Sequence, residues 1–178
     1  MKNMKITALI LILSTVFSLV GCSDCDEDVF ENTYNATLYS MANDWIDEGF
    51  LYENRVKAYY LNENYIEGES DPNESIIYDE SSPSFRTFII KDQKTFDGIF
   101  IENSLAVDFE KQIVILYISS NVYPSRTYSL KKMSVDNQVL TVQLELEYKE
   151  VDDASMPFQR CFVIVMDSVD ISEVIVDK

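Results

Sequence analysis

The sequence predicts an α+β domain built mostly on antiparallel β-sheet, with one or two short helices. Three observations carry that prediction. Ile113-Val114-Ile115-Leu116-Tyr117-Ile118 is an unbroken apolar run, as expected of a central strand covered on both faces. Leu140, Val142, Leu144, Leu146 and Tyr148 alternate with Thr141, Gln143, Glu145 and Glu147, the period of a strand with one wet face. Asp136-Asn137 supplies turn chemistry immediately before it, which makes a hairpin with the segment upstream. A β-sandwich is the alternative architecture.

Taken in chain order, Leu38, Met41, Ala42, Trp45 and Ile46 recur at helical spacing and predict an amphipathic helix over Thr37 to Glu48, against a loosely ordered leader. Arg55 to Leu61, with Tyr59 and Tyr60, reads as a first strand, followed by a long acidic loop from Glu63 to Asp79. Ser84 to Lys91 is rich in aromatic and β-branched residues and reads as a strand. It runs into Asp92, which suits a helix N-cap, and a short helix through Phe96, Ile99 and Phe100. Lys111 to Ser119 is the central strand.

Tyr128 to Val135 then pairs with the alternating strand. Tyr128 and Leu130 share one parity while Met133 and Val135 share the other, so a β-bulge is expected at Lys131 and Lys132 to keep both pairs inward. Cys161 to Asp167 and Val174 to Asp177 complete the sheet. No internal repeat or linker interrupts Arg55 to Lys178, and residues 37–178 are expected to form one domain, large enough for a proper core.

Upstream the pattern changes. Lys2 and Lys5 precede the apolar stretch Ile6 to Val20, the layout of a secretory signal peptide. The stretch is shorter than the roughly 20 residues a spanning helix needs, so a retained transmembrane helix is the weaker reading. Leu19-Val20-Gly21-Cys22 resembles the lipobox of bacterial lipoproteins, an ordinary signal peptide with a coincidental cysteine being the alternative. The resemblance implies cleavage between Gly21 and Cys22, loss of residues 1–21, and a diacylglycerol thioether on Cys22. Residues 22–36 then read as an acidic tether, too poor in apolar groups to pack over Ser23 to Glu31. Acid-rich stretches behind a lipid-bearing cysteine resemble surface-export signals of some Gram-negative lipoproteins. Ser23, rather than an aspartate, follows the cysteine, which fits an outer-membrane destination.

Charge and composition narrow the chemistry. The chain carries 31 acidic against 14 basic residues, a formal charge of −17. Cleavage would remove two lysines and no acid, leaving about −19, a field that repels nucleic acid and anionic lipid surfaces. The membrane link is therefore expected through the lipid alone. There is no histidine, which removes Ser-His-Asp and Cys-His mechanisms and the commonest metal ligand. No Gly-rich phosphate loop or Gly-x-Ser-x-Gly elbow occurs.

The Ser129-Leu130-Lys131-Lys132 match to Ser-x-x-Lys falls in a strand-like segment, where residues three apart face opposite ways. Asp24, Asp26 and Asp28 do not make an EF-hand, because Val29 and Asn35 stand where glycine and glutamate are required. The acids Glu67, Glu69, Asp71 and Glu74 read as a solvated loop, with loose cation binding the sharper alternative. Cys161 lies in an apolar run and reads as a buried small hydrophobe, while a Cys25–Cys161 disulfide would strap the tether to the domain. The expectation is a non-catalytic protein with no cofactor and no metal.

Residues Phe88 to Lys178 resemble the carboxy-terminal domain of the protease-complex subunit PrcB family. The likeness rests on a strand and short helix at Ile89 to Phe100, on Val107-Asp108-Phe109 ahead of the apolar strand, on Tyr123-Pro124 before Tyr128, and on Pro157 before the last apolar strand. Ser125-Arg126-Thr127 departs from the family's glycines. The resemblance implies an envelope protein that helps assemble or stabilise a partner protease, and it assigns no functional residues.

Two readings follow from the sequence. One is a surface-tethered module that binds a protein partner by its acidic face or an open sheet edge. The other is a glycan- or small-ligand-binding lipoprotein that stacks its ligand on Tyr59, Tyr60, Tyr65, Tyr78 or Tyr123.

Overall fold

The computed structural model describes residues 34–102, 104–122, 126–147 and 156–178, all within one compact unit, Asn32–Lys178. The strand everything else leans on is β8, Phe158–Asp167, which enters a six-stranded sheet beside β5, Gln112–Asn121. The two pair antiparallel from Gln112↔Asp167 to Asn121↔Phe158. Outside β5 lies β4, Phe85–Ile90, paired from Phe85↔Ser119 to Ile90↔Val114. The other side of β8 is shared. β1, Ala36–Tyr39, covers Val163 to Met166, and β2, Tyr59–Leu61, meets Phe158 in parallel. β3, Ile76–Tyr78, closes that margin by pairing with β2.

A second sheet of three strands, β6 (Thr127–Asp136), β7 (Val139–Glu147) and β9 (Glu173–Asp177), packs on one face of the first. Side-chain alternation explains the two cores. From β5 and β8, Ile113, Ile115, Tyr117, Phe162, Ile164 and Met166 face the small sheet and meet Met133, Leu140, Val142 and Val174. Val114, Leu116, Ile118, Cys161, Val163 and Val165 face the other way, against Ala42, Ile46, Val56, Phe96 and Phe100. The expected central strand with both faces covered is β5, and the expected α+β class holds, with the sheet split into two packed layers.

The predicted hairpin forms, with its turn one residue later than read, since Asp136 pairs with Val139 and ends β6. Asn137 and Gln138 take φ of 49° and 65°, the left-handed pair that a two-residue hairpin turn demands. The register shifts between Leu130 and Lys132, so the bulge falls at Lys131 and Met133 points inward with Leu130. Gln138 is also held from outside. Its carbonyl accepts from Ser172 N at 2.9 Å and its Nε2 donates to Asp170 Oδ2 at 3.0 Å. The Asp92 cap is likewise present: its carboxylate accepts from Thr95 N at 2.9 Å and starts helix α2, which follows α1 (Glu48–Glu53) and spans Gln93–Asp97.

Three expectations are corrected. Thr37 to Glu48 is not a helix: it holds β1, a 3-10 turn at Asn43–Trp45, and only the first residue of α1. The exposed N–H and C=O groups along β8 need partners, and Thr37 to Tyr39 provide them as a strand. The apolar spacing that mimicked a helix still buries Ala42 and Ile46. The strand foreseen over Arg55 to Leu61 is confined to Tyr59–Leu61, because Val56 N is satisfied by side chains, Tyr60 Oη at 2.9 Å and Gln159 Oε1 at 3.2 Å. Val174 to Asp177 does not finish the sheet of β8. It joins the second sheet, parallel to β7 with Leu140↔Val174 in register.

Candidate functional site

The β2–β3 ribbon extends the large sheet past the three-stranded layer. One face of it is left partly exposed among the described residues, at Leu61, Tyr78 and Met156. Tyr59 and Leu61 of β2 share that face with Ile76 and Tyr78 of β3, by their pairing Tyr59↔Tyr78 and Leu61↔Ile76. Phe158 and Met156 extend it from the start of β8. Leu61 is 78% exposed, and Met156 and Tyr78 are about half-exposed. Leu61, Met156 and Pro157, with Tyr59, Tyr60 and Ile76, line a shallow groove of about 390 Å³. The Tyr59 and Tyr78 rings lean together, centroids 4.8 Å apart.

The opposite face of the ribbon is differently built. Tyr60 turns back to the domain: its hydroxyl donates to Val56 O at 2.7 Å and accepts from Val56 N, with Gln159 Oε1 2.8 Å away. Burial raises its phenol pKa. Arg55 lies over the Tyr52 and Tyr60 rings, at 4.2 and 4.5 Å, and pairs with Glu63 at 3.0 Å. Cationic charge near the ribbon is thus already engaged, since Lys57 meets Glu80 at 3.6 Å as well.

The connection between β2 and β3 is acidic. Asp71 caps a 3-10 turn at Pro72–Glu74, and Gly68 takes φ 84°. Glu67, Glu69 and Glu74 are exposed and form no ion pair among the described residues. An apolar face rimmed by unpaired carboxylates results. No group of three or more acidic or cysteine side chains converges as a metal site would require, among the described residues.

Of the tyrosines read from the sequence as stacking surfaces, Tyr59 lies in the groove beside Tyr78. Tyr60 also lines the groove while its hydroxyl is engaged by Val56 and Gln159, Tyr65 sits in the acidic connection, and Tyr123 lies outside the described residues. Cys22, Gly21 and Cys25 lie outside them too, as do Asp24, Asp26 and Asp28. Cys161 is fully buried in the first core, and burial pushes its thiol up to about 12. Sequence reading missed Leu61 and Met156 as surface residues, because an apolar residue in or beside a strand gives no sign of which face will be covered.

The ribbon is held at its far end by Asp79. Its carboxylate accepts from the Ser82 and Ser81 hydroxyls at 2.7 and 2.8 Å and from both backbone N–H groups at 3.0 Å. These bonds, the Ser82 hydroxyl first, hold its pKa down to about 2. A depressed carboxylate contributes stability that is present above its unfolded pKa, near 3.9, and lost as pH falls through the folded value. Solvent reaches this carboxylate, so the contribution is about 1 kcal/mol. Unfolding of the wild type and of Asp79→Asn should accordingly converge between pH 4 and pH 2. Parallel stability curves would show that the cluster does not hold the turn.

Comparison with protein-family models, with curated proteins and with solved structures finds no match. Among the described residues no helix is long and apolar enough to cross a membrane.

Proposed function

We propose that the chain is a lipid-anchored envelope protein, tethered through Cys22, that acts without catalysis by docking a protein partner on its β2–β3 ribbon. The observation that carries this reading is the apolar face on which Leu61, Tyr78 and Met156 are exposed beside half-buried Tyr59 and Ile76, next to an acidic connection whose carboxylates form no ion pair among the described residues. Apolar anchors in a groove supply affinity, and charge at the rim supplies steering and choice of partner. The complementary partner presents apolar residues flanked by lysine or arginine. The PrcB resemblance favours an envelope protease as that partner, with the chain assisting its assembly or stability.

A second reading, in which the face stacks a glycan, is favoured by the Tyr59–Tyr78 ring pair.

The test is affinity capture of the lipidated chain from intact envelopes at low and moderate salt, beside Cys22→Ala. The expected result is one basic envelope protein enriched with the anchored form, depleted with Cys22→Ala, and progressively released as salt screens the rim. Capture that is absent, or indifferent to the anchor, overturns the reading. Tyrosine or Trp45 fluorescence that responds to an envelope saccharide while no protein is captured selects the glycan.

A further inference from the structure

At one end of the space between the two sheets the lining changes from apolar to cationic. Phe162, Ile164 and Met166 of β8 fill that space, and two residues before Phe162 the same face carries Arg160, only 1% exposed. Its Nε donates to Ser40 O at 2.6 Å and its Nη1 to Arg126 O at 2.7 Å. Its Nη2 is buried and has no hydrogen-bond acceptor among the described residues.

Lys178, immediately beyond β9, reaches the same corner. Its Nζ donates to Ser119 Oγ at 2.7 Å and approaches Ser120 O at 3.4 Å. Arg160 Cζ and Lys178 Nζ lie 5.1 and 5.6 Å from the centroid of one ring, Phe162, with Tyr128 and Tyr117 beside them. Neither cation forms an ion pair with a described carboxylate, although the chain holds 31 acids. Burial, then repulsion from Arg160, lowers the Lys178 pKa, and burial lowers that of Arg160.

Burying a guanidinium is costly unless its charge and every donor are met. Carbonyls and ring faces meet part of that need here, and the second ammonium adds to it. An oxyanion would satisfy both, since an arginine fork matches the oxygen spacing of a carboxylate or phosphate. We infer that the Arg160–Lys178 corner is a binding site for a small oxyanion, with Arg160 Nη2 and Lys178 Nζ as its donors. The anion enters as Lys178 swings out: that residue is exposed at the surface while its ammonium reaches inward. The site is separate from the β2–β3 ribbon and does not depend on the docking reading.

The test is thermal unfolding of the full lipidated chain in neutral detergent, followed through Trp45, with sodium phosphate, sodium acetate or sodium chloride at matched ionic strength. Phosphate or acetate should raise the midpoint saturably by roughly 5 °C over chloride. Which of the two acts names the oxyanion. Lys178→Met should abolish the rise, and Lys178→Arg should keep it. An equal rise with chloride, no saturable rise with either oxyanion, or an undiminished rise in Lys178→Met would overturn the site.

Discussion

Phe162→Ala is expected to destabilise the domain by about 3–5 kcal/mol, a large share of the roughly 5–15 kcal/mol that holds a domain of this size together. Phe162 is fully buried on the face of β8 that meets the small sheet. The Tyr128 ring approaches it edge-on at 5.4 Å and Tyr117 lies 5.9 Å away. Truncation leaves a void bounded by strands of two different sheets, each fixed by its own ladder, and such a void closes poorly. Cys161→Ala is the matched control. It lies one residue away, is equally buried, faces the opposite core, and loses only a sulfur. Urea unfolding read through Trp45 should show a large fall in midpoint for Phe162→Ala at unchanged slope, and about 1 kcal/mol for Cys161→Ala. A loss below 1.5 kcal/mol for Phe162→Ala, on the same order-of-magnitude scale, would mean that the small sheet is not anchored through this ring.

The second large effect concerns binding. Leu61→Lys places a cation in the middle of the exposed face of the β2–β3 ribbon, where a partner rich in lysine and arginine would be repelled. Affinity for the captured partner should fall about 30-fold or more, roughly 2 kcal/mol, by loss of an anchor together with an added repulsion. Because Leu61 is 78% exposed, stability should change by no more than about 0.5 kcal/mol. A variant that folds normally and binds as tightly as the wild type would remove the ribbon from consideration. Tyr78→Ala separates the two readings further. It should cost a glycan most of its stacking, whereas a protein partner keeps its contacts with Leu61, Ile76 and Met156.

Much of the second half of the fold was legible because its strands carry their own instructions. The central run at Ile113 to Ile118 has no polar face to expose. The parity change between Leu130 and Met133 could be reconciled only by an extra residue, and Asp136-Asn137 marked the turn to within one residue of Asn137-Gln138. The first half was less legible. At Thr37 to Glu48 helical spacing competed with a partner strand more than a hundred residues away, and local pattern says nothing about such a partner. Likewise nothing in Val174 to Asp177 distinguishes pairing with β7 from pairing within the larger sheet. The candidate site was half visible: its aromatic residues stood out, but the exposure of Leu61 and Met156 depends on packing that local pattern does not report. Arg160 and Lys178 gave no signal at all, being two ordinary basic residues until the strands bring them to one ring.

The arrangement of β8 also orders events in time. It is the strand that β1, β2 and β5 all require, yet it begins at Phe158, whereas β1 ends at Tyr39. A chain delivered amino end first therefore passes most of its length before the large sheet has its middle. Until then β1 has no ladder to join and the β2–β3 and β4–β5 pairs have nothing between them, and closing the loop between β1 and β8 spans well over a hundred residues. Pairing so distant in sequence makes for slow folding. Under the proposed envelope location, late arrival of the shared strand would keep the chain threadable until its passage across the membrane is nearly done.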